Sequence, residues 1–282
     1  MNCYAVLKED FKKLRPKVNF SIVKELENLH YQFTRDLANL VKSNNEIGKK
    51  TVVVIPVGPL EFTPFAELCN KEKISCENLI TINMDEYLKD DHSYIDYENP
   101  LCFRHYMDDN LFNIIEKDLR PPKENRVFPE PNNPEQIRLI IEDHGLDVTY
   151  GGVGISGHLA FNDPPENEKE LTEENVKNSV TRIVNISRET RTGIAIGGTG
   201  GNWDIIPKKA VTIGMKEILS AKKIQLYGMR TWHAGTLRRA LFGDISPTWP
   251  ASYVQQHSNV SVTLTEYAAE LPLNNVTLAI GK

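Results

Sequence analysis

Cysteine is scarce: Cys3, Cys69, Cys76 and Cys102 are the four in 282 residues, and they form no CxxC pair. That excludes a disulfide framework as the source of stability and suits reduced thiols, for which a reducing cytoplasm is the simplest home. Long apolar runs are missing as well. No stretch approaches the roughly 18 residues a membrane helix needs, and the opening MNCYAVLKEDFKKLRPK has no apolar core of a signal peptide. A cytoplasmic protein with no membrane partner is expected. Positive charge is not in excess, since 33 Lys plus Arg stand against 38 Asp plus Glu, a net charge of -5. Binding along a nucleic acid needs clustered surplus cations, so a nucleic-acid partner is disfavoured. The seven histidines form no HxH or HExxH spacing and no GxxxxGK[ST] loop occurs, so neither a metal nor a nucleotide cofactor is expected.

What is present is an ordinary globular composition, 40% hydrophobic and 25% charged. A chain of this length removes roughly 75% of its unfolded surface from water on folding. One domain over residues 1–282 therefore needs no staple. From Asn19 onward, Ile22, Val23, Leu26, Leu29, Phe33, Leu37, Leu40 and Val41 recur at spacings of three and four, which predicts a long amphipathic helix ending near Gly48. The β-branched run from Thr51 to Val57 is apolar on both sides and reads as a strand buried on both faces. Leu79–Met84 and Leu146–Tyr150 read as further strands, with a helix around Ile137–Ile141 closed by Gly145. Ile224–Tyr227, a helix over Trp232–Leu241 and a last strand at Val260–Leu264 continue the alternation. Such alternation predicts βαβ units and a three-layer αβα, Rossmann-like α/β fold around a mostly parallel sheet.

Two stretches depart from that grammar. Pro164–Asn178 is acidic and poor in apolar groups, and Ile196–Asn202 is too glycine-rich for regular structure by the usual rules. They predict either a mobile lid over about 164–202 or a plain surface insertion.

Ligands of open α/β sheets bind at the carboxyl ends of the strands. There the sequence offers Gly58-Pro59-Leu60-Glu61, the acids Asp85 and Glu86, and the run from Gly151 to Asp163 that contains His158. A carboxylate base, an imidazole and amides freed by glycine are the parts needed to move a proton next to a carbonyl. The Trp232-His233 pair just past a strand end is a second place of interest, and Trp203 and Trp249 offer stacking surfaces.

Asn83-Met-Asp-Glu-Tyr87, Gly151-Gly-Val-Gly154 and Gly157-His-Leu-Ala-Phe-Asn162, in this order and spacing, resemble the glucosamine-6-phosphate deaminase/isomerase family, which is related to the 6-phosphogluconolactonases. Weaker similarity runs from about Thr51 to the C-terminus. The resemblance implies an enzyme acting on a small-molecule sugar phosphate by opening its ring and moving a proton between C1 and C2. It implies Asp85 as the proton carrier and His158 as the imidazole that assists ring opening, with Asp163 as its carboxylate partner. The substrate-binding positions it implies are Gly58, Pro59, Glu86, Gly152, Ser156, Arg182 and Arg230. A homo-oligomer is the common assembly for soluble enzymes.

The chain also departs from the family. An acid stands two positions before the histidine in the family and a glutamate five after it; here these are Ser156 and Asp163. Aspartate is one methylene shorter, which predicts a reach lost by roughly 1.5 Å, and a misplacement of that size costs on the order of 100-fold in rate. Family cations fall on Val184, Ile196 and Thr231, and Pro59 removes an amide donor from the phosphate turn. Arg182, Arg188, Arg191, Arg230 and the loop Gly197–Gly201 are left to rebuild an anion site. Two alternatives stay open: a sugar-binding relative without turnover, and a lactone hydrolase.

Overall fold

The computed structural model describes residues 2–58 and 60–275. In chain order its strands are β1 (Val18–Val23), β2 (Thr51–Ile55), β3 (Leu79–Asn83), β4 (Asp85–Leu88), β5 (Arg126–Val127), β6 (Val148–Gly151), β7 (Arg182–Asn185), β8 (Lys209–Thr212), β9 (Lys223–Gly228) and β10 (Val260–Thr265). Its α-helices are α1 (Phe11–Leu14), α2 (Leu26–Glu46), α3 (Thr63–Glu72), α4 (Phe103–Met107), α5 (Gln136–His144), α6 (Glu173–Lys177), α7 (Arg188–Gly198), α8 (Met215–Leu219), α9 (His233–Phe242) and α10 (Glu266–Ala269).

Seven strands form an all-parallel sheet in the order β1-β10-β9-β6-β2-β3-β5. β2, β3 and β6 are buried from end to end, as both-sided cover requires. Alternation sorts their side chains between two cores. Val52, Val54, Ile80 and Ile82 join Ile137 of α5, Ile218 of α8 and Leu237 of α9 on one face. Val53, Ile55, Leu79, Tyr150 and Tyr227 meet Leu29, Phe33 and Leu37 of α2 and Phe65 of α3 on the other. This is the three-layer αβα architecture the sequence predicts. The order reverses between β2 and β6, so their carboxyl ends flank the crevice where such sheets take ligands.

Three local differences matter. Residues Val18–Val23 do not open the long helix; they are an edge strand paired with β10, and α2 starts at Leu26 behind a capping box of Glu25 and Asn28. Ile22 and Val23 continue the helical spacing by coincidence, which is why periodicity runs across the boundary. The glycine-rich stretch is helical as far as Gly198, because Ser187 caps α7 by accepting the Thr190 amide at 3.1 Å, and Ile194 and Ala195 pack inward. The helix has ended before Gly200 and Gly201, which take φ of +60° and +86°. Third, the chain leaves the large sheet at Met84, and β4 pairs antiparallel with β8, which pairs with β7 in a second, three-stranded sheet. Asp85 and Glu86 thus sit in a strand rather than a turn.

Phe33 of α2 locks one core, packing edge-on against Phe62, Tyr150 and Tyr227 at centroid distances of 5.5, 5.3 and 6.0 Å. Phe33→Ala is expected to cost about 3–5 kcal/mol, read as a lowered urea midpoint with an unchanged slope.

Candidate active site

The chain leaving β6 makes a tight turn, with Gly154 N–H donating to the His158 carbonyl (2.9 Å) and Gly157 N–H to that of Gly154 (3.0 Å). The imidazole of His158 folds back over Gly154, so closely that a Cβ there would lie 2.0 Å from Nε2. Gly157 takes φ +81° and faces the indole of Trp249, 2.3 Å from any added Cβ. Trp249 therefore packs the turn. Gly152, Gly154 and Gly157 happen to spell GxGxxG, but the segment runs on irregularly past Asp163 with no helix to receive a pyrophosphate, so the dinucleotide reading of that spacing does not apply.

One carboxylate ties this turn to the rest of the site. Asp163 Oδ1 accepts from His158 Nδ1 (2.9 Å), Ser156 Oγ (2.6 Å) and Thr190 Oγ1 (2.6 Å), while Oδ2 accepts the Ser187 amide (3.1 Å) at the start of α7. Burial opposes ionisation of this group. The hydrogen bonds from His158, Ser156 and Thr190 outweigh it and hold the carboxyl well below the ordinary aspartate value. With Asp163 Oδ1 2.9 Å away, Nδ1 is the ring nitrogen placed to donate, and Nε2 is the one that lies over Gly154. The shorter acid is expected from its length to fall short of the imidazole. It does not, because the loop and α7 close around it.

The second sheet delivers the other acid. Asp85, Thr212 and Arg182 are direct partners across β4, β8 and β7, so their side chains share one face. Thr212 Oγ1 accepts the Phe161 amide (3.0 Å), and Asn162 takes Arg182 Nη1 on its Oδ1 (2.8 Å) while its Nδ2 donates to the Ile213 carbonyl (2.9 Å). The loop bearing His158 and Asp163 is thereby stitched to the face that presents Asp85. Asp85 is 7% exposed, and its carboxyl has no hydrogen-bond or ion-pair partner among the described residues. Burial, then the neighbouring Glu86, push its carboxyl well above the ordinary value. Among the described residues Arg182 uses only Nη1, on Asn162 and the Val180 carbonyl, and burial lowers its guanidinium. Its remaining N–H groups are available to an anion.

The other implied positions are dispersed. Glu86 is wholly buried on the opposite face, accepting from the amides of Tyr87, Phe103 and Arg104 and from Arg104 Nε (3.0 Å). It caps the start of α4 and has no surface to offer a ligand. Arg230 lies against Gly197, about 10 Å along α7 from Thr190 by helical rise. His233 beside it accepts the amides of Met229 and Arg230 on Nδ1, and burial, then Arg230, lowers it to about 3. The Trp232-His233 pair thus fixes a turn. Arg191 stacks on Trp203 at 4.5 Å. Gly58 turns the chain at φ +59°, and Pro59 lies outside the described residues. Thr190 and Thr212 are invisible to motif reading; the Ser187-x-x-Thr190 cap is the one local signal of the first. Among the described residues no three acids, histidines or cysteines are placed to hold a metal, and no helix is long and apolar enough to cross a membrane.

Adjacent acids should therefore respond oppositely to substitution. Glu86→Ala strands Arg104 and three amides and is expected to cost about 3 kcal/mol. Asp85→Asn is expected to stabilise at neutral pH. Its folded value is raised above the unfolded one, so the fold's stability falls as pH rises from the unfolded value to the raised one. Urea unfolding at pH 5 and pH 8 reads both signs.

No family model matches the chain. Among curated relatives, glucosamine-6-phosphate deaminase of Mycoplasmopsis pulmonis is 27% identical over 268 residues, 93% of this chain and 97% of that protein. Glucosamine-6-phosphate deaminase 1 of Bacillus subtilis is 30% identical over 208 residues, 71% of this chain and 77% of that protein. A solved monomeric glucosamine-6-phosphate deaminase superposes with a TM-score of 0.74 at 26% identity, covering 90% of this chain and all of that one. A 6-phosphogluconolactonase from Shewanella baltica shares the fold, with a TM-score of 0.58 at 18% identity over 88% of this chain and 97% of that one. With identity of that order extending across most of a relative's length, on the same fold, the chain belongs to the glucosamine-6-phosphate deaminase family.

Proposed function

We propose that the protein deaminates and isomerises an amino sugar phosphate of the glucosamine-6-phosphate kind, moving a proton between C1 and C2 within a diverged site. The observation that carries this is Asp85: a nearly buried, unpartnered carboxyl, raised in pKa, on the same sheet face as Arg182 and beside the His158 loop. A carboxyl so placed holds its proton more tightly than an ordinary aspartate, which suits a carrier between two carbons.

The residues then divide the work. The lone pair of His158 Nε2 accepts the anomeric hydroxyl proton, the C1–O5 bond breaks, and the proton passes to the ring oxygen. Ionised Asp85 takes the C2 proton of the open-chain amino aldehyde while the substrate's ammonium gives a proton to O1, leaving an enolamine, and Asp85 returns its proton to C1. The resulting imine at C2 adds water and releases ammonia, giving the ketose phosphate. Arg182 supplies charge to the substrate's anionic end, with Arg188, Arg191 and Arg230 as nearby reserves. Since Asp85 must be ionised to accept the proton and its value is raised, the acid limb of kcat/KM is expected above the ordinary carboxylate range.

Incubation with hexosamine and hexose 6-phosphates in deuterated water, followed by mass spectrometry, tests the reading. Deuterium entering at C1 or C2 with ammonia release is expected, lost by at least about 100-fold in Asp85→Asn. Absence of label and ammonia with every such substrate overturns it. Acid release from a lactone would instead place the protein among hydrolases, and binding without turnover among sugar sensors.

A further inference from the structure

Ser156 and Asp163 leave the imidazole with a short acid and no second charge, yet the pair is closely made. The missing support comes from a different part of the chain. Thr190 lies on α7, 27 positions beyond Asp163, and its hydroxyl reaches Asp163 Oδ1 at 2.6 Å and passes 3.1 Å from His158 Nδ1. Thr192 on the same helix directs its hydroxyl to the Arg188 carbonyl four residues back, at 2.8 Å, as helical threonines commonly do. Thr190 turns its hydroxyl outward to the carboxylate, although it is 4% exposed and its amide is already held by Ser187. The start of an eleven-residue helix also faces Asp163 through the Ser187 amide, an orientation that favours negative charge.

We propose that Thr190 is a positioning residue for the His158–Asp163 pair, fixing which oxygen the imidazole meets and which ring nitrogen carries the proton. The argument is one of valence. The two oxygens of Asp163 have room for about four donors, and Ser156, His158 and Thr190 on Oδ1 with the Ser187 amide on Oδ2 fill them. Without the Thr190 hydroxyl Oδ1 keeps one donor fewer, and Nδ1, which also lies 2.8 Å from Ser156 Oγ, is no longer confined to the Asp163 oxygen that sets its tautomer. Asp163 is thus held from two segments, its own loop and the helix that follows β7. The docked position of α7 becomes a condition for a working imidazole.

This rests on the proposed reaction for its catalytic part alone. Thr190→Val removes the hydroxyl at nearly constant volume, and Thr190→Ser restores it. Nitrogen-detected NMR of the histidine side chains reads the tautomer without substrate. In Thr190→Val the His158 signals are expected to move from one dominant tautomer to a mixture, and in Thr190→Ser to stay with the wild type. Steady-state kinetics on the labelled sugar phosphate should show kcat lowered about 10-fold or more in Thr190→Val with KM within about twofold, and recovery in Thr190→Ser. Unchanged His158 signals in Thr190→Val overturn the inference, as does a rise in KM alone. A tautomer shift in a protein whose wild type shows no turnover upholds the positioning role and sinks the proposed reaction instead.

Discussion

The hydroxyl of Thr212 is the small contact on which the arrangement of the site depends. It lies on the middle strand of the three-stranded sheet, directly between Asp85 and Arg182, and accepts the Phe161 amide. Without this tie, and those of Asn162 to Arg182 and Ile213 beside it, the loop after β6 and the strand after β3 are separate excursions from the carboxyl edge of the large sheet. With them, loop and strand share one face. The second sheet exists because the chain breaks from β3 at Met84, whose amide still bonds to the Ile55 carbonyl while its own carbonyl receives the Ile213 amide. One residue thus belongs to both sheets, and Asp85 is aimed by that crossover.

Glu86 and Asp85 illustrate how burial alone does not define a role. Both are inside, one residue apart, on opposite faces of β4. Glu86 meets a ring of amides and Arg104, so its burial is compensated and it serves the fold. Asp85 meets nothing among the described residues, so its burial is uncompensated and resists ionisation. An uncompensated charge at this place is costly, which is why the carboxyl holds its proton more tightly than an ordinary aspartate. The strand period of two is what separates the fates.

Much of this is legible in the chain, and the limits have physical causes. The buried β-branched runs, the α2 stripe and the glycines after β6 report on neighbours close in sequence or on burial of a whole strand, which pattern captures. Asp85 and His158 are legible because their motifs are local strings. Glu86 is misplaced by sequence reading because an acid beside a catalytic-looking acid gives no sign of which face it takes, and β4 has the look of a turn. The glycines of α7 suggest irregular chain because glycine content speaks of propensity, whereas a serine cap and inward packing decide the outcome. Thr190 and Thr212 act across 27 and 51 positions respectively, and single-sequence spacing carries no information at that range.

The substitutions around His158 are then better understood as a change in how one charge is held than as decay of the pair. A second acid at position 156 would place two carboxylates beside one imidazole in a partly buried site, where like charges raise each other's pKa. Serine gives up that charge and donates a hydrogen bond instead. Asp163, shorter by a methylene, is met by the start of α7, where the Ser187 amide and the Thr190 hydroxyl touch it. The cost of confining one carboxylate is met by four donors, which is about what its lone pairs accept. The consequence is geometric: because two of those donors belong to α7 and its cap, the imidazole's orientation and the placement of the helix that carries Arg188 and Arg191 are no longer independent.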